Sequence, residues 1–278
     1  MRLPSTLLLL LAASLAQANP KPYLIGGGVD TDSDGGLRGS MLAGVELDES
    51  TWLSGGMSAS SVELASGRSS DIIYADFDVD HHFDPVGLTF GVAYWGDPDI
   101  LNSLDQRLSL YYRNRRFYIG AEYEYRDFDL IIPPGDFFPG RELTFDANGV
   151  GGRLRYSFTE NFRASLSAMK YDYSVDFTPG DNIDAARLIS VSRLSLINSL
   201  IDSRASIDLG LDVGSGNWSL DYATWKGALD QSRTDSYTLR YLWPVSVTTD
   251  IELGLGYDDS DLYGDVTFLS LYLYFYGS

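Results

Sequence analysis

Residues 116–129 read RFYIGAEYEYRDFD. Phe117, Ile119, Ala121, Tyr123 and Tyr125 alternate with Tyr118, Gly120, Glu122, Glu124 and Arg126, so a strand here has one oily face and one charged face. The same period of two recurs along the chain. In LRGSMLAGVEL (37–47), Leu37, Met41, Ala43, Val45 and Leu47 share a face. In DIIYADFDVDHHF (71–83), Ile73, Ala75, Phe77 and Val79 oppose Asp76, Asp78 and Asp80. VGLTFGVAYW (86–95), QRLSLYYR (106–113), RASIDLGLDV (204–213), NWSLDYATW (217–225), SYTLRYLW (236–243), IELGLGY (251–257) and VTFLSLYLYFY (266–276) repeat it. LTFDANGVGGRLRYSF (143–158) sets Val150, Leu154, Tyr156 and Phe158 against Arg153 and Arg155. FRASLSAMKYDYSVDF (162–177) changes face near Met169, which predicts a bulge there.

Short connections (DEST, DPV, RNRR, TEN, GSGN, PVSVTTD) alternate with longer acidic or Pro- and Gly-bearing ones, among them TDSDGG, DLIIPPGDFFPGRE and DDSDLYGD. Sorting by length at every second turn predicts an up-and-down barrel with tight turns at one end and loops at the other. Residues 184–203 (DAARLISVSRLSLINSLIDS) break the rhythm and read as part of a long fifth outer loop. The count is then about 14 strands, with roughly 12 as the alternative. With almost every strand amphipathic and no covering helix, closure removes the sheet edges and lipid takes the oily face. Trp52, Phe83, Tyr94, Trp95, Phe158, Phe162, Trp218, Trp225, Tyr241 and Trp243 lie near strand ends, where interfacial girdles of a barrel sit.

The N-terminal stretch supports this placement. Arg2, the apolar run Leu7–Leu15 and the small-residue site Ala16-Gln17-Ala18 form a secretory signal peptide over residues 1–18. Residues 19–278 remain as one domain of roughly 260 residues. No segment offers the ~18 consecutive apolar residues of a spanning helix. The mean hydropathy of −0.10 does not distinguish a soluble protein from a barrel whose strands are half wet. A net charge of −19 argues against nucleic acid as a partner. Without cysteine, disulfides contribute nothing to stability.

The whole mature chain resembles Gram-negative outer-membrane β-barrel proteins of the porin-like kind. Its last strand is similar to their C-terminal assembly signal, except that the terminal aromatic, Tyr276, is followed by Gly277 and Ser278. The resemblance implies residence in the outer membrane. It also implies contact with outer-membrane lipid and lipopolysaccharide, and insertion by the barrel-assembly machinery.

Positions between the oily ones define a candidate pore lining. The acidic set is Asp76, Asp78, Asp80, Glu122 and Glu124, joined by Asp208, Asp212, Asp221 and Glu252; the basic set is Arg107, Arg113, Arg126, Arg153, Arg155 and Arg163, joined by Arg240. Much of the basic set falls on neighbouring strands, so a transverse field is expected, and the acidic excess predicts a modest cation preference. The expected function is a channel for passive diffusion of small hydrophilic solutes or ions. The alternatives are a structural or adhesive barrel, or a barrel hydrolase acting on lipids. For the hydrolase, the two histidines, His81 and His82, point to opposite faces beside a short turn. No catalytic set, cofactor or metal site is assigned; the carboxylate runs TDSDGG and DDSDLYGD lack the full ligand series of a calcium loop.

Overall fold

The computed structural model describes residues 21–63, 69–97, 99–132, 141–175, 200–228, 231–262 and 264–277. They form fourteen strands: β1 (Tyr23–Asp32), β2 (Leu37–Asp48), β3 (Thr51–Glu63), β4 (Ser69–His82), β5 (Val86–Asp97), β6 (Leu101–Arg113), β7 (Phe117–Ile132), β8 (Arg141–Ser157), β9 (Phe162–Tyr173), β10 (Ile201–Val213), β11 (Gly216–Gly227), β12 (Arg233–Ser246), β13 (Thr249–Ser260) and β14 (Gly264–Gly277). Each strand pairs antiparallel with its sequence neighbours. β1 pairs with β14, from Tyr23 opposite Gly277 to Asp32 opposite Phe268. The barrel is therefore closed, and the count is 14 rather than 12. The start of β1 and the end of β14 both lie at the end of the tight turns, which is periplasmic in an outer-membrane barrel.

Residues directly opposite each other in a ladder share a face. Ladder by ladder, the apolar alternates form a continuous outer surface. Leu209, Leu220, Leu239, Leu255 and Leu269 stand opposite one another across five strands, and Leu239 and Leu255 are 44% and 56% exposed. Among the described residues no protein layer covers these leucines, so hydrocarbon is the medium that their burial requires.

Towards the loop end the two faces exchange character. β7 carries Tyr123 and Tyr125 outward, then Asp127 and Asp129 at the same parity, while Phe128 and Leu130 turn inward and are buried. β8 and β9 do the same, with Asp146 and Asp172 outside and Phe145, Ala147, Met169 and Tyr171 inside. Here the strands have risen past the lipid, so the outside is polar and the inside is dry. Phe128 stacks on Phe145 with ring centroids 4.9 Å apart, in a cluster that also takes Ile72, Trp95, Leu101, Leu200 and Ile201.

This exchange corrects several expectations. The ladders on both sides of Met169 are unbroken, so there is no bulge there; the switch from apolar to polar outward residues imitates one. The ladder irregularity nearest to it lies in β10, between Ile201 and Ser203. Residues 201–203 belong to that strand rather than to the preceding loop. Residues 176–199, like the signal peptide, lie outside the described residues. Strands also absorb much of the expected loops, leaving only 98–100 between β5 and β6. Of the girdle aromatics, Phe83, Tyr94, Phe158, Phe162, Trp218, Tyr241 and Trp243 face outward, as in the Trp218–Tyr241 pair at 4.5 Å. Trp52, Trp95 and Trp225 have the opposite parity; they face inward, and Trp95 and Trp225 pack into or against the dry cluster.

A charge on the leucine row should be costly and one on the inward row should not. Leu239→Arg is expected to lose about 2–4 kcal/mol of folding free energy in lipid vesicles, the cost of a cation near the bilayer midplane. Thr238→Arg, opposite Asp221, should lose much less. Urea titration of both variants in vesicles measures the difference.

Candidate functional site

The alternation that sends leucines out sends the charges in. β4 carries Asp76, Asp78 and Asp80 inward; β6 carries Arg107 and Arg113; β7 carries Glu122, Glu124 and Arg126; β8 carries Arg153 and Arg155; β9 carries Arg163. Asp208, Asp212, Asp221, Arg240 and Glu252 share that side on β10 to β13.

Several pairs reach across an intervening strand, and glycine makes this possible. Asp78, Gly91 and Arg107 stand in one row of β4, β5 and β6. The Arg107 guanidinium lies over Gly91 and donates from Nη2 to both oxygens of Asp78 at 3.1 Å, with Asp76 at 3.6 Å. A Cβ at Gly91 would run into the Asp78 carboxylate. The same device recurs on the next strands. Glu124, Gly149 and Tyr171 form a row of β7, β8 and β9, and the Tyr171 hydroxyl donates to Glu124 Oε2 at 2.7 Å. A Cβ at Gly149 would sit 2.7 Å from the Tyr171 ring.

The inward charges fall into a dry group and a wet group. Arg126 and Glu124 are 2% and 6% exposed. Arg126 Nε donates to Asp105 Oδ1 at 3.1 Å and lies 3.7 Å from Glu124 Oε1; its guanidinium also sits 4.7 Å from the Phe128 ring centroid. Ser103 donates to Asp105 as well, and Arg204 Nη2 reaches Glu124 at 3.3 Å. Glu124 and Arg126 were expected to line the pore, but they are locked in a buried ion network under the aromatic cluster. They lie where the strands have passed above the lipid and the inside has dried. Asp105, Arg204 and Tyr171 belong to this network without having been expected in the lining; Asp105 lies just ahead of the alternating run 106–113, whereas Arg204 and Tyr171 lie within alternating runs. The odd-numbered series Ser103, Asp105, Arg107 was the available signal.

Nearer the periplasmic end the inward side stays wet. The side chains of Arg153 and Arg163 are 46% and 40% exposed, each within reach of one carboxylate, Glu122 at 3.3 Å and Asp212 at 3.6 Å. Arg155 and Arg113 are exposed and have no acidic partner among the described residues; they lie 5.7 Å and 5.9 Å from the ring centroids of Tyr118 and Tyr111. Arg240 pairs with Asp221 at 2.6 Å. Asp80 accepts from the Tyr111 hydroxyl at 2.7 Å.

Comparison with known proteins bears on the fold. No family model matches the chain, and no curated protein matches it in sequence. Among solved structures, the TodX deltaS2S3 mutant, a monoaromatic hydrocarbon channel, is 11% identical over 96% of this chain and 92% of its own, with a TM-score of 0.53. OmpTdeltaL8, a loop-deletion mutant of an outer membrane protein of Vibrio cholerae, is 10% identical over 93% of this chain and 99% of its own, with a TM-score of 0.51. The KdgM porin is 8% identical over 91% and 98%, at 0.45. The chain has the fold of Gram-negative outer-membrane β-barrels.

Within that fold the remaining chemical candidates have local explanations. His81 lies on the outward face, with Nδ1 2.9 Å from Thr51 Oγ1 and its ring against Phe83, while His82 has inward parity. The acidic TDSDGG turn uses Asp32 on its own backbone: Oδ1 accepts from the amides of Asp34 at 3.0 Å and Gly36 at 2.7 Å. Gly35 supplies the positive φ of 81° that this turn needs. Burial, then the neighbouring Asp32 charge, raises the Asp34 carboxyl above the usual carboxylate range.

The dry and wet groups should respond differently to loss of a guanidinium. Arg126→Met leaves Asp105 and Glu124 buried without their shared cation and is expected to cost about 3–5 kcal/mol. Arg155→Met, on the wet side, is expected to change stability by less than about 1 kcal/mol. Denaturant unfolding of the two refolded variants, followed by tryptophan fluorescence, measures the contrast.

Proposed function

We propose that the protein is an outer-membrane channel for passive diffusion of small hydrophilic solutes or ions, with a modest preference for cations. The observation that carries this reading is the wet, charged belt on the inside of a closed barrel of fourteen strands. Such a barrel is wider than the eight-stranded kind that side chains fill. The belt is polarised. Arg113, Arg153, Arg155 and Arg163 stand on β6, β8 and β9. Glu252 and Asp250 on β13 and Glu46 on β2 occupy the far wall, with no guanidinium within salt-bridge distance among the described residues. A field across the lumen orients a dipolar solute, and the larger number of carboxylates favours cations. One observation supports the alternative of a structural or adhesive barrel: the aromatic cluster occupies the inside of the loop end from β4 to β11.

Planar-bilayer recording of the refolded protein tests both readings. Discrete open levels are expected, with a reversal potential in a salt gradient shifted to the cation side. The combined variant Asp76→Asn, Asp78→Asn, Asp80→Asn should lower the cation preference, all the more because Arg107 loses its partners. Arg107→Gln should raise it. An unchanged reversal potential in both variants would remove these residues from the conduction path, and the absence of any conductance would favour the structural reading.

A further inference from the structure

The described basic residues of the strands are sorted between the two faces. Arg38, Arg107, Arg113, Arg126, Arg153, Arg155, Arg163, Arg204 and Arg240 have inward parity; among the described side chains only Lys170, Lys226 and Arg233 point outward from a strand. These three fall in a single ladder row: Lys170 on β9 faces Ser203 on β10, which faces Lys226 on β11, which faces Arg233 on β12. The row lies close to the loop end, at the level where the outer surface changes from apolar to polar. For a chain with a net charge of −19, gathering its outward strand cations into one row calls for a physical cause.

Lys226 and Arg233 stand directly opposite each other, and like charges in that position repel. Arg233 is relieved in part by Asp235 at 3.0 Å and also reaches Thr224 and Tyr222. Lys170 is paired with Asp202 at 2.7 Å. Lys226 is exposed and has no acidic partner among the described residues. Further outward carboxylates nearby are Asp172, two positions beyond Lys170 on the water side, and Asp259 on β13, opposite Asp235. An anion between Lys226 and Arg233 would remove the repulsion.

Two residues towards the lipid from this row, about 7 Å along the strands, the wall is hollow. Gly152, Ala168 and Ala205, opposite one another on β8, β9 and β10, form the floor of an apolar groove of about 510 Å³, walled by Leu154, Leu166 and Ile207. The arrangement is a cationic rim above a groove shaped for hydrocarbon, at the height of the outer leaflet.

We propose that the outer wall of β8–β12 binds a phosphorylated, acylated glycolipid of the outer leaflet, lipopolysaccharide. Its phosphate sits between Lys226 and Arg233, with Lys170 beside it, and one acyl chain lies in the groove over Ala168 and Ala205. This inference rests on the outer-membrane orientation of the barrel and is independent of conduction.

The test uses the refolded full chain in neutral detergent, with purified diphosphorylated lipid A as the probe and retained lipid counted by native mass spectrometry. Wild-type protein is expected to bind lipid A at least tenfold more tightly than its dephosphorylated form. Lys226→Gln combined with Arg233→Gln should abolish that preference while leaving the gel mobility of the folded barrel unchanged. Ala168→Leu combined with Ala205→Leu, which fills the groove from the lipid side, should weaken binding of both forms several-fold. Equal retention of lipid A by wild type and the charge variant overturns the proposal, and so does equal binding of phosphatidylglycerol. Wild-type protein that is silent in bilayers yet retains lipid A selectively would refute the channel and leave this site standing.

Discussion

Hydrocarbon offers no hydrogen-bond partner, so every amide and carbonyl of a strand that crosses it must be paired within the protein. The β1–β14 ladder meets this constraint: it converts a fourteen-stranded ribbon with two open edges into a sheet with none. Once the sheet is closed, the period of two assigns every side chain to lipid or lumen. The leucine row and the charged belt are two readouts of one parity. A register slip of one residue would exchange them along an entire strand.

Height along the barrel is the second variable, and it changes the meaning of the alternation. In the lipid band the outside is apolar and the inside polar. Above it Asp127, Asp146 and Asp172 face out while Phe128, Phe145 and Tyr171 face in. The barrel thus behaves as a membrane protein over part of its length and as a small globular β-protein with a dry interior at its outer end. The ion network of Asp105, Arg126 and Glu124, reached from its edge by the exposed Arg204, lies at this junction, where burial makes Arg126 depend on its carboxylates. The outward cations Lys170, Lys226 and Arg233 mark the same junction from the other side. There the proposed lipid headgroup would meet the wall.

Glycine has a specific use in this interior. Between Asp78 and Arg107, and between Glu124 and Tyr171, the intervening strand presents Gly91 or Gly149, so a long side chain can lie flat over the backbone and reach the second strand. Interior charges are thereby held close to the wall. For Asp78 and Arg107, which remain partly exposed, this leaves more of the cross-section free than erect side chains would.

Much of the fold was legible in one dimension because a lipid-facing strand needs only local alternation. Phe117 to Tyr125 and Leu209 to Val213 announce their faces without reference to any neighbour, and an even strand count follows from keeping both chain ends on one side. What the sequence could not determine was where along each strand the lipid stops. That boundary depends on the tilt and stagger of the neighbours, so Met169 looked like a bulge, Trp95 and Trp225 like girdle residues, and Arg126 like part of a wet pore wall. Only the closed sheet, with its ladder registers, decided which charges meet across a glycine and which are sealed beneath Phe128. It also decided that three outward cations from three different strands share one row. Parity is a local property of a strand, whereas height and cross-strand partners are set by the whole barrel.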